Sequence, residues 1–141
     1  MGGSFEEKSV WIQLIATVLA LAAYSVIAGR MLAAGVTALP AYAALFMVAT
    51  GLMVVLLVAG LVVAALAGRR RPEGRDERDR LIGWRAESNS GWLLATGVFA
   101  AITGMIFSID NVWIAHLLLL SLFLSEVLGF VMRLVYYRRG V

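Results

Sequence analysis

Charged residues divide the chain into four long apolar stretches. Val10 to Ala28 carries no charge, and a second uncharged run, Met31 to Gly68, has its apolar core between Pro40 and Ala67. A third stretch covers residues 91–109, and a fourth covers residues 111–132 with Glu126 as its one interruption. About 20 predominantly apolar residues in a helix cross a hydrocarbon core of about 30 Å, so each stretch predicts one membrane span. Pro40 suits the first turn of a helix, where its missing N–H is not needed. A helix from there to Ala67 would measure about 42 Å, too short for two crossings and long enough to tilt or protrude. Only Asp110 and Asn111 separate the third and fourth spans. That spacing predicts a tight antiparallel hairpin in which either side chain can cap the fourth helix.

Between spans two and three, residues 69–90 switch to charge. Pro72 and Gly74 should stop the second helix. A new one should begin near Asp76, whose acidic first turn complements the helix dipole. Asp76 with Arg80 and Arg75 with Asp79 are i,i+4 pairs, each contributing a few tenths of a kcal/mol. Leu81, Ile82 and Trp84 would lay an apolar patch on the headgroup region as far as Ala86, and Ser88, Asn89 or Ser90 would cap the third span. The expected fold is all-α: one membrane domain over residues 1–141, an integral four-helix bundle with a short cytoplasmic interfacial helix.

Composition agrees with insertion in a bilayer. The chain is 62% hydrophobic and 15% charged, with a mean hydropathy of +0.90. A soluble domain of this length would lack polar residues to cover its surface. Of the 12 Lys and Arg residues, all but Arg30 fall on one side of the four-span layout. Positive residues stay in the cytoplasm, which puts both termini and the 69–90 segment there. Trp11, Trp84, Trp92, Tyr136 and Tyr137 would mark the cytoplasmic interface, and Tyr42 and Trp113 the outer one. Cleavage of the first span as a signal peptide is not expected. Glu6 and Glu7 precede it beside a single Lys8, and its apolar core is longer than a signal peptide's. The basic balance does not point to nucleic acid, because the arginines sit where topology requires them and five acidic residues offset those of the middle segment.

Candidate chemistry is sparse. Glu126 is costly within a span and should face protein or water. It reads either as a proton- or cation-binding carboxylate or as a structural partner of Arg133, seven residues on and on nearly the same helix face. His116, the only histidine, lies about 15 Å from Glu126 and well around the helix, so the two cannot share a metal within one chain. It reads as a hydrogen-bonded packing residue. No ligand spacing suggests a metal or cofactor, and the chain has no cysteine. Small residues recur along span four (Ser121, Ser125, Gly129), span two (Gly60, Ala64, Gly68) and span three (Gly97, Ala101). Such stripes let helices approach closely, and packing within one chain is expected ahead of homo-oligomerisation. No nucleophile elbow, phosphate loop or acid pair is present, so an enzyme is not expected.

One resemblance bears on function. Asp76-Glu77-Arg78, followed by Ile82, Ala86 and a membrane span, resembles the signature of small uncharacterised prokaryotic membrane proteins with four spans, over residues 74–135. That resemblance implies an inner-membrane protein of a family without an established activity. Two functions are expected to compete. One is a non-enzymatic interaction or regulatory protein that docks a protein partner through Asp76, Glu77, Arg78, Asp79 and Arg80. The other is a small proton- or cation-coupled transporter that uses Glu126.

Overall fold

A computed structural model describes residues 5–68 and 73–139. Its elements are α1 (Phe5–Ala33), a 3-10 turn (Leu39–Tyr42) leading into α2 (Ala43–Gly68), α3 (Glu73–Ile106) and α4 (Asn111–Arg139). All four α-helices carry a segment long and apolar enough to cross a membrane. Pro40 opens the 3-10 turn before α2, as its fixed φ favours.

The charged segment departs from expectation. The residues expected to form a separate interfacial helix, Asp76 to Ala86, are the N-terminal part of α3, which continues unbroken to Ile106. Ser88 to Gly91, expected to interrupt it, lie in mid-helix, and Gly74 lies in its first turn. The local polar groups are satisfied without a break. Ser90 Oγ donates to the Glu87 carbonyl at 3.2 Å, and Ser125 Oγ of α4 donates to the Ser90 carbonyl at 2.9 Å. The apolar patch is split as well. Ile82 and Ala86 are buried, while Leu81 and Trp84 are exposed.

Two helix ends close in the same way. After α1, Gly35 takes φ +79°, with Gly35 N–H donating to the Leu32 carbonyl and Val36 N–H to the Met31 carbonyl. After α3, Ser108 takes φ +56°, with Ser108 N–H on Met105 and Ile109 N–H on Gly104. Both are Schellman ends, which satisfy the last carbonyls of a helix and reverse the chain. The Asp110 carbonyl then accepts the Trp113 N–H at 3.0 Å to start α4.

Packing follows from these reversals. α4 lies against both α3 and α1, and α1 also lies against α2. Among the described residues α2 and α3 are not a main packing pair; α1, α2 and α4 share one core, and α3 packs on α4. One core joins three helices through Tyr24, Ala28, Ala49, Met53, Leu119 and Phe123. A second joins Val10 of α1 to Phe130 and Leu134 of α4, so the start of α1 meets the end of α4. Small residues set the closest approaches within the chain. Gly97 faces Ser121 Cβ, Gly129 faces Ser90 Oγ, and Gly60 faces the Gln13 amide. The side chains of Ala64 and Gly68 lie outside the described set. Met47, Val48, Val55 and Leu61 of α2 point outward, as a helix in lipid allows.

Candidate functional site

The hairpin of α3 and α4 decides which polar groups meet. The connection is Phe107 to Asp110, four residues with Asn111 already inside α4, and residues about equally distant from it face each other, as Gly97 does Ser121. Further along, the same register brings Glu87 to Arg133, and the two form an ion pair. Asn89 Nδ2 donates to Tyr136 Oη at 2.9 Å one turn away. The Arg133 guanidinium also lies 5.9 Å from the centre of the Phe130 ring, and its Nε is buried without a hydrogen-bond acceptor.

Arg133 is therefore held across the hairpin by Glu87, rather than by Glu126 along α4. Glu126 stands two turns away, about 10 Å along the axis, where only an extended arginine would reach. It is half-buried on α4 and remains within electrostatic reach of both Arg133 and Glu87. A double-mutant cycle distinguishes Glu87 from Glu126. Glu87→Gln with Arg133→Gln should show a coupling of about 0.5–1 kcal/mol, since both side chains are partly exposed. The cycle with Glu126→Gln should show less. Equal coupling in the two cycles would reverse this assignment.

Of the expected docking residues, Glu77 and Arg80 are exposed on α3. The side chains of Asp76, Arg78 and Asp79 lie outside the described set. Glu77 and Arg80 line a shallow concavity of about 670 Å³ with Leu81, Gly83, Trp84 and Glu87. Glu126 and His116 lie away from it.

A second polar cluster lies at the other end of the bundle. Tyr24 of α1 hydrogen-bonds His116 Nδ1 of α4 through its hydroxyl. His116 is thus a hydrogen-bonded packing residue within an aromatic group. Its ring meets the Tyr42 ring edge-on at 4.8 Å and the Phe46 ring at 5.3 Å, and its Nε2 is buried without a nitrogen or oxygen partner. Tyr42, expected at the lipid interface, is fully buried (0% exposed), because its hydroxyl donates to the Val36 carbonyl at 2.7 Å. Among the described residues no group of three or more metal-ligating side chains converges.

Residue type points Asn89 to a helix cap and Tyr136 to the lipid interface, not to each other, and does not single out Glu87. Their signal is register: counting outward from the Phe107–Asp110 connection places Glu87 within about one turn of Arg133. No family model, curated protein or solved structure matches the chain.

Proposed function

We propose that this chain is a multi-pass inner-membrane protein that presents the first turns of α3 to a cytoplasmic protein partner and is not an enzyme. One observation carries the reading: α3 is continuous from Glu73 to Ile106, so the charged turns are a rigid extension of a membrane span. Asn89 is already level with Tyr136, three residues before α4 ends at Arg139. The α3 turns before Asn89 cover about 24 Å, against about 4.5 Å left in α4. Glu77 and Arg80 are thereby carried beyond the hairpin partner, with charges of both signs and the exposed apolar surfaces of Leu81 and Trp84 beside them. The one-sided distribution of Lys and Arg supports a cytoplasmic position, and the Asp-Glu-Arg resemblance supports a prokaryotic inner membrane.

Charge reversal at Asp76, Glu77 and Arg78 together should abolish co-purification of the partner while insertion and helix content stay unchanged. Loss of insertion instead would assign the segment to topology alone. The competing reading, proton- or cation-coupled transport, draws on Glu126 within reach of Arg133 and Glu87. A pH-driven flux in proteoliposomes that Glu126→Gln removes would favour it over docking.

A further inference from the structure

Beyond the docking turns, α3 carries a second outward face. The helix has 34 residues and is about 51 Å long, against about 30 Å of hydrocarbon. Counted back from Ile106, that hydrocarbon ends about 20 residues earlier, near Glu87. Trp92 then lies just inside the apolar boundary and Trp84 just outside it, at headgroup depth. Both indoles point away from the bundle, with Trp84 76% and Trp92 75% exposed. They are about 12 Å apart along the axis and about 80° apart around it.

Arg85 and Ser88 lie on the same surface between them, and both are exposed. A guanidinium, a hydroxyl and two indole N–H groups all offer hydrogen-bond donors. Among the described residues the carboxylates near Trp84 are Glu77 and Glu87, which line one concavity with it; Glu87 is paired with Arg133, and Glu77 lies two turns before Trp84. The surface is therefore complementary to a phosphate, with two flat apolar rings to border a glycerol backbone and acyl chain. Its depth selects the phosphate of a lipid.

We propose that the face of α3 formed by Trp84, Arg85, Ser88 and Trp92 binds the headgroup of an anionic phospholipid. The basis is charge complementarity at headgroup depth together with the paired outward indoles. This surface shares Trp84 with the docking reading but does not rest on it. A protein that binds no partner would still carry it.

The test uses the full chain with Trp11 and Trp113 replaced by Phe, so that only Trp84 and Trp92 report. It is reconstituted in phosphatidylcholine nanodiscs containing a small fraction of brominated phosphatidylglycerol or, separately, brominated phosphatidylcholine. Quenching should indicate about fivefold local enrichment of the glycerol lipid, the amount one arginine near an anionic surface contributes. Arg85→Gln with Ser88→Ala should bring the two lipids to equality, Arg85→Lys should keep most of the preference, and Arg30→Gln should keep all of it. Helix content by circular dichroism verifies that each variant is folded. Equal quenching by both lipids in the parent, or a preference that survives Arg85→Gln with Ser88→Ala, overturns the proposal.

Discussion

Gly97→Ala is expected to destabilise the protein by about 1–3 kcal/mol, the usual cost of forcing a methyl into a packed contact. A Cβ at position 97 would overlap Ser121 Cβ and Oγ, and Ser121 is itself buried. Neither group is the end of a long flexible side chain, so relief requires the axes of α3 and α4 to separate. Separation would loosen every contact further along the hairpin, including the Ser125 bond to the Ser90 carbonyl and the Glu87–Arg133 pair. Two companions make the test specific. Gly97→Ala with Ser121→Gly exchanges which helix carries the methyl and should recover most of the loss. Gly51→Ala, where nothing lies within 4 Å, should be neutral or slightly stabilising through helix propensity. Reversible unfolding in mixed detergent micelles measures all three. A Gly97→Ala protein as stable as the parent would mean that the two helices do not meet at this point.

The second large effect belongs to the other end of the bundle. Tyr24→Phe removes the hydroxyl that bonds His116 Nδ1, in a ring whose Nε2 already lacks a nitrogen or oxygen partner. A buried polar atom left unmade costs about 1–3 kcal/mol. Within a bilayer the unfolded reference also finds partners, and measured interhelical bonds reach about 1.7 kcal/mol at most. A loss of about 1–1.5 kcal/mol is expected. His116→Leu should cost a similar amount by stranding the Tyr24 hydroxyl. Tyr24→Phe with His116→Leu should cost less than the sum, because removing both partners leaves nothing unsatisfied. Strict additivity in the same unfolding assay would show that the bond contributes nothing to stability.

The polar contacts differ in how far they can be read from the chain. The expected Asp110–Asn111 turn is in fact the four residues Phe107 to Asp110, still short enough to confine two antiparallel helices to a narrow range of registers, so counting brings Glu87 within about a turn of Arg133. Glu126 draws attention away because its cost is visible in one dimension and its neighbours are not. Ser88 to Gly91 illustrates the opposite case. Ser, Asn and Gly favour helix ends in isolation. The Ser125 hydroxyl and the close approach of Gly129 to Ser90 come from another helix, and there those residues are held inside α3. Tyr42 is similar. An aromatic residue beside a span suggests the lipid interface, whereas the acceptor that buries it is a carbonyl in the reversal made by Gly35.

The sequence alone determined the four apolar helices and their antiparallel alternation. Each depends on the length and charge of a contiguous segment, because every backbone group crossing hydrocarbon must be bonded within its own helix. Tertiary structure decided what contiguity does not encode. It made α3 one helix instead of two, gave Arg133 to Glu87 and not to Glu126, buried Tyr42, and packed α2 on α1 and α4 rather than mainly on α3. Those outcomes rest on close approach between helices and on buried hydrogen bonds, and in lipid these take over the role that water exclusion has in a soluble core.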